Sequence, residues 1–145
     1  IRRALVIDLD VHQGNGTAAI FEGDDSVFTF SMHGERNYPA HKMRSTLDVG
    51  LPDGTDDAAY LGALAAQLPR LTEGFRPELV FYLAGVDVAA GDRYGRFALS
   101  DAGLRERVHE RVGGVPVGPG GVAGGGTPRP QSHAAPPAMP IPERG

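Results

Sequence analysis

Asp8, Asp10 and His12 recur at every second position of the stretch Ile7-Asp8-Leu9-Asp10-Val11-His12, and all three are metal-ligating residue types. In an extended chain alternate side chains project to one side, so the three converge if the extension persists through His12. Asp87 stands in an equivalent place, just beyond the apolar run Leu79-Val80-Phe81-Tyr82-Leu83-Ala84. Asp10, His12 and Asp87 together make a two-carboxylate, one-imidazole set. That mixture of oxygen and nitrogen donors suits Zn²⁺ and also Fe²⁺, and it leaves coordination positions open to water or substrate. His33 and His41 have no spacing partner to recruit them and are expected to be loop histidines. His109 is expected to face solvent from a helix, and His133 falls in the C-terminal tail.

The elements that must carry these residues follow from apolar patterning. Ala4 to Leu9 is short and almost wholly apolar, as expected of a strand buried on both faces of a parallel sheet. Ser26 to Ser31 and Leu47 to Leu51 read as further strands, the second stopped by the turn residues Pro52-Asp53-Gly54. Thr55 is expected to cap a helix with Asp56 and Asp57 in its first turn. Its Leu61, Leu64, Leu68 and Leu71 recur at helical spacing, and Pro69 should kink or shorten its end. Leu79 to Ala84 is the clearest strand, and Ser100 is expected to cap a short helix with Leu104, Val108 and Val112 on one face. Such alternation implies an α/β domain with a mostly parallel sheet. Sheets of that kind bind ligands beyond the C-terminal ends of their strands, where Asp10, His12 and Asp87 fall.

With 145 residues and 41% apolar content, the chain has material for one domain with a real core. Its formal charge of -4, without a long run of either sign, gives nucleic acid or an anionic membrane no obvious foothold. The lack of cysteine excludes disulfides, zinc knuckles and thiol nucleophiles. No apolar stretch approaches the length of a membrane span and no signal-peptide pattern is present, so the reading is cytoplasmic. The sequence begins at Ile1 rather than Met and is expected to start inside a longer protein. After Val112 the composition changes: 9 of the last 33 residues are Gly and 8 are Pro. A segment so poor in apolar and charged groups is expected to be disordered from about Gly118, as a linker or as an out-of-frame stretch.

A D-x-D at a strand end alone often only caps a loop, but here it continues into Gln13-Gly14-Asn15-Gly16-Thr17. The run Ile7 to Thr17 resembles the metal motif of the histone deacetylase superfamily. Ala84-Gly85-Val86-Asp87-Val88-Ala89-Ala90-Gly91-Asp92-Arg93 resembles the family's second segment, in the same order. The similarity runs from about Arg3 to Val117, covers the middle of the family domain, and is strongest to class IV-like and bacterial deacetylases. It implies a three-layer α/β/α architecture with a mostly parallel sheet over residues 1–117, an incomplete deacetylase-type domain followed by a tail over 118–145. Asp10, His12 and Asp87 would ligate a catalytic Zn²⁺ or Fe²⁺, and Asp8 would support a neighbouring histidine from outside this chain. The resemblance also implies a structural K⁺ at Asp8, Asp10, His12, Ser31 and Met32, and a second monovalent cation at Phe21, Asp24 and Val27. Tyr38, before Pro39, and Tyr94 would line the acyl-lysine tunnel or its rim, with Asp92 and Arg93 fixing the loop after Asp87.

The implied reaction is hydrolysis of acetyl-lysine in a protein, or of a small acyl-amide, by a water that the metal activates. The family supplies proton transfer from a paired-His motif upstream and an oxyanion donor from a Tyr after a glycine-rich turn. These 145 residues contain neither, and Gly124-Gly125-Gly126 leads to Thr127. The chain is therefore expected to carry the ligands but to hydrolyse little by itself, as a fragment of a zinc-dependent amidohydrolase. One rival reading is an incomplete domain that performs no chemistry. Another is a haloacid dehalogenase-like phosphatase using Asp8 as nucleophile, with Ser31, Asp87 and Asp92. It leaves His12 and the Gln-Gly-Asn-Gly segment unused, and Lys42 is the only lysine it could recruit.

Overall fold

A computed structural model of the chain describes residues 1–109, 111–112 and 115–116. The apolar run near the N-terminus becomes strand β1 (Ala4–Asp8), flanked on both sides by parallel neighbours. With β2 (Val27–Gly34), β3 (Leu47–Leu51) and β4 (Leu79–Leu83) it forms a four-stranded sheet in the order β3-β2-β1-β4, parallel at every pairing. This is the expected α/β class.

Register sorts the side chains by face. Ile7 pairs with Phe30 and Tyr82, and Leu5 with Phe28 and Val80, so these six share one side of the sheet. Against that side packs helix α2 (Asp57–Pro69), whose Tyr60 and Leu64 are fully buried with Leu5, Ile7, Phe30 and Met32. Burial of a side chain such as Leu64 stabilises the fold by about 1.5–3 kcal/mol. Val6, Asp8, Thr29, Ser31, Phe81 and Leu83 share the opposite face, where the short helix α1 (Asn15–Ile20) buries Ala18. Thr17 and Phe21 line an apolar hollow there with Val6 and Val27, and Phe81 and Leu83 on β4 stay exposed.

Several boundaries differ from the sequence expectations. Strand β2 does not end at Ser31. Its pairing with β1 stops there, but pairing with β3 carries it through Met32 and His33 to Gly34. His33 is consequently a buried strand residue rather than a loop histidine. Asp56, not Thr55, caps α2 by accepting from the Ala59 amide at 3.0 Å, while the Thr55 hydroxyl donates to the Pro52 carbonyl at 2.7 Å and closes the preceding turn. Pro69 is accommodated as the last α2 residue. It has no N–H to continue the ladder, and the helix widens directly afterwards into a π-helical turn (Arg70–Gly74) that buries Leu71.

Ser100 does cap helix α3 (Asp101–His109), accepting from the Gly103 amide at 3.2 Å. Val112, expected on the face of that helix, instead lies in β5 (Arg111–Val112), which pairs antiparallel with β6 (Val115–Pro116). The tail over 118–145, with His133 and Thr127, lies outside the described residues. No helix among the described residues is long and apolar enough to cross a membrane.

Candidate metal centre

Beyond Asp8 the chain leaves the sheet. Leu9 still donates to Leu83 at 2.9 Å, but Asp10 to His12 lie in bends, so the expected extension through His12 does not occur. Side chain to backbone bonds two residues ahead curl the segment: Asp8 Oδ1 accepts from the Asp10 amide at 3.1 Å, and Asp10 Oδ1 from the His12 amide at 2.8 Å. Leu9 and Val11 are buried to either side, which leaves Asp10 and His12 partly open. Asp87, four residues after β4, meets them there, and its Oδ1 accepts from the Val11 amide at 3.0 Å.

His12 Nδ1 lies 3.0 Å from Asp10 Oδ1 and 3.0 Å from Asp87 Oδ2. One ligand atom from each of Asp10, His12 and Asp87 falls within 4.8 Å of the others. Donors sharing a tetrahedral Zn²⁺ at bonds of about 2.0 Å stand roughly 3.3 Å apart, so this donor set has the compactness one divalent ion requires. The side chains are 38%, 32% and 20% exposed respectively, which leaves an approach from solvent. Gly85 makes the convergence sterically feasible, because a Cβ there would stand 2.3 Å from Asp10 Oδ2 and 2.8 Å from Asp87 Oδ1. The residues present thus fit a divalent ion.

The electrostatics agree with crowded carboxylates. Burial raises the Asp8 carboxyl from 3.8 to about 6 against the lowering effect of the Asp10 amide, with the Asp10 and Asp87 charges adding to the rise. Asp87 is also raised, first by burial and then by Asp10, while the Val11 amide and His12 oppose the shift. Asp8 is not among the three convergent residues, and its carboxylate packs against Gly14.

Neighbouring residues fix this segment. Gln13 is buried and clamps the loop before β3: its amide nitrogen donates to the Met43 carbonyl at 2.6 Å and to Asp48 at 2.9 Å, and its oxygen accepts from the Met43 amide. Ser31 and Met32 are buried on β2, where Ser31 Oγ contacts His33 Nδ1 at 3.0 Å and accepts from Gly14 at 3.3 Å. Phe21, Asp24 and Val27 gather in the turn after α1, beside a cleft of about 500 Å³. There the Phe21 and Asp24 carbonyls already accept turn hydrogen bonds, and the Asp24 carboxylate accepts from Ser26, which lowers its pKa.

Tyr38 and Tyr94 are both exposed, at 72% and 69%, on loops joined to the centre. The Tyr38 carbonyl accepts from the Gln13 amide, and buried Asn37 donates to the Tyr94 carbonyl at 2.9 Å. Asp92 fixes the following turn by accepting from the Tyr94 and Gly95 amides at 2.7 Å each, which lowers its pKa, and the Arg93 guanidinium lies over the Tyr94 ring.

Sequence reasoning missed Gly85, Asn37 and Arg107. Arg107 is buried on α3 and donates to the Leu9 and Gly85 carbonyls at 3.0 and 2.9 Å. An available signal was its position within the Leu104–Val108 stripe, where an apolar residue was due. The phosphatase reading is not favoured: Asp8, its nucleophile, is buried, bonded to a backbone amide and pressed against Gly14.

Comparison with known proteins adds an independent finding. Residues 1–117 match the histone deacetylase domain. An uncharacterized protein of Picosynechococcus is 56% identical over 106 residues, covering 73% of this chain and 35% of the relative. Histone deacetylase 2 of Arabidopsis thaliana is 36% identical over 110 residues, covering 74% and 28%. The crystal structure of an acetylpolyamine aminohydrolase from Burkholderia pseudomallei superposes with a TM-score of 0.65 at 27% identity, covering 74% of this chain and 35% of that one. The chain thus spans about a third of the length of the curated relatives it matches.

Proposed function

Because this chain belongs to the histone deacetylase family, we propose that it carries the metal-ligand core of a metal-dependent deacylase acting on acetylated amines. The observation that supports this reading is the convergence of Asp10 Oδ1 and Asp87 Oδ2 on His12 Nδ1 at 3.0 Å. Asp10, His12 and Asp87 would hold Zn²⁺, with Fe²⁺ as the alternative the same donors accept. When bound, such an ion supplies Lewis-acid polarisation of the acyl carbonyl and a water acidic enough to act near neutral pH.

The chain's own residues prepare that site. Asp10 fixes the loop through the His12 amide, Asp87 joins the second loop to the first through Val11, and Gln13 anchors both to the strand-edge loop. Tyr38 and Tyr94 are assigned to the substrate rim, where exposed aromatic faces suit an alkyl chain bearing an acetylated nitrogen. Two of the proteins compared above are named for action on histones and acetylpolyamines, so the substrate class proposed is an acetylated lysine or a small acetylated amine. The same reading assigns a structural K⁺ to Asp8, Asp10, His12, Ser31 and Met32, and a second monovalent cation to Phe21, Asp24 and Val27.

Zinc content by elemental analysis, with hydrolysis of acetyl-lysine and acetylpolyamine in parallel, tests the proposal. One equivalent of zinc bound by the chain and lost in Asp10→Ala is expected, with little turnover in the absence of the family's His pair and Tyr. Zinc binding that survives Asp10→Ala would refute the site, and robust turnover would refute the division of labour.

A further inference from the structure

We propose that Arg107 is a positioning residue that sets the separation of the two ligand-bearing loops; this inference rests on the metal reading above. A guanidinium that is 2% exposed is costly to bury and needs strong acceptors. Among the described residues Arg107 forms no ion pair and its Nε has no hydrogen-bond partner. Its main acceptors are two main-chain carbonyls, Leu9 at 3.0 Å and Gly85 at 2.9 Å, and the Tyr60 hydroxyl also interacts with its side chain. Leu9 immediately precedes Asp10 and follows β1. Gly85 lies two residues before Asp87 and follows β4.

These carbonyls stand where the parallel ladder ends, so neighbouring strands no longer supply donors. Arginine's rigid fork can bond both at once, which ties the end of β1 to the end of β4 at one distance. That distance matters because the Gly85 backbone abuts the carboxylates of both Asp10 and Asp87. The tie is itself held: Tyr82 on β4 donates to the Arg107 carbonyl at 3.1 Å, and the Tyr60 hydroxyl reaches the Leu9 carbonyl at 3.4 Å. A helix face packed on a sheet needs only an apolar residue at this position. The geometry instead spends a buried charge on the two segments that present the ligands.

The test is a Co²⁺ titration of the full 145-residue chain, as wild type, R107K and R107M, read by affinity and by the visible absorption spectrum, with metal-free thermal unfolding in parallel. R107M keeps the packing stem without the fork, and R107K keeps the charge but reaches only one carbonyl at a time. R107M is expected to bind Co²⁺ about 10–100-fold more weakly, as for other residues that orient metal ligands, with a changed spectrum. R107K should fall between it and wild type. Wild-type affinity and spectrum in both variants, with only a lower melting temperature, would overturn the proposal and leave Arg107 a structural residue. Should R107M fail to fold, R107K decides by the same criteria. If the wild-type chain binds no Co²⁺, the metal reading fails and this inference falls with it; binding that the variants leave unchanged refutes Arg107 alone.

Discussion

Gly85→Ala isolates the geometry of the centre from its chemistry, because it adds one methyl group and removes no ligand. The new Cβ would stand 2.3 Å from Asp10 Oδ2, 2.8 Å from Asp10 Cγ and 2.8 Å from Asp87 Oδ1, where ordinary contact begins near 3.4 Å. The Asp10 carboxylate must therefore withdraw by about 1 Å, several times the roughly 0.2 Å within which metal–ligand distances are held. Its side chain is 38% exposed, so it can turn outward once its Oδ1 bond to the His12 amide is given up. Gly85 is not in the left-handed region, so alanine strains no backbone torsion there. The variant should thus fold with a melting temperature near that of wild type but bind Zn²⁺ at least about 100-fold more weakly, or about 2.7 kcal/mol, the consequence of displacing one carboxylate. Competitive titration against a chromophoric chelator reads this directly. Unchanged affinity in folded Gly85→Ala would mean that Asp10 and Asp87 do not bind one ion in the arrangement described.

The remaining predictions concern stability. Gly62 sits inside α2 with open space around its Cα, so Gly62→Ala should raise the free energy of unfolding in urea by about 0.5–1 kcal/mol. Leu64→Ala, at the fully buried contact of α2 with the sheet, should lower it by about 2–5 kcal/mol. Asp8 gives the metal-free chain a pH dependence. Its folded carboxyl, at about 6, binds a proton more tightly than the unfolded one at 3.8, so the associated stability is fully present below pH 3.8 and is lost as pH rises through 6. The change is about 3 kcal/mol across that window, and Asp8→Asn should flatten it in melts recorded from pH 3.5 to 7.

The sheet was legible because the strands at Ala4–Asp8 and Leu79–Leu83 are written as short apolar runs, while Leu47–Leu51, a half-exposed edge strand with Asp48 and Gly50 inside it, was marked by the turn residues that stop it. The Asp10, His12 and Asp87 set was legible because its residue types are restricted and its members fall at strand ends. What escaped depended on partners distant in sequence. Strand β2 runs past Ser31 because β3 pairs with it there, and that pairing buries His33. Arg107 interrupts the apolar stripe of α3, and only the placement of α3 against the ends of β1 and β4 shows what it bonds. Gly85 reads as an ordinary turn glycine until two carboxylates are seen to occupy the space of its missing side chain. Thr55 was expected to cap α2, but its hydroxyl closes the preceding turn on Pro52 and leaves the cap to Asp56.

Asp8, Asp10 and Asp87 lie close enough for their charges to act on one another, and this arrangement opposes folding at neutral pH in the metal-free chain. Burial and mutual repulsion raise both Asp8 and Asp87, while the backbone amides of Asp10 and Val11 return only part of the lost solvation. A stable fold could relieve the conflict by turning the carboxylates outward. The observed packing prevents this for Asp8 and Asp87: Asp8 is held against Gly14, and Asp87 is tied to Val11. Asp10 is the most exposed of the three, but it too is tied, through Oδ1 to the His12 amide. A divalent cation placed among these groups reverses the sign of the electrostatics, since each carboxylate that repels its neighbours would then attract the ion. Binding should therefore release protons near pH 6, where Asp8 titrates, and stabilise the fold by an amount that grows with pH over the window in which the metal-free chain weakens. Calorimetric Zn²⁺ titrations in two buffers of different ionisation enthalpy measure that release, and equal heats in both at pH 6 would refute the coupling.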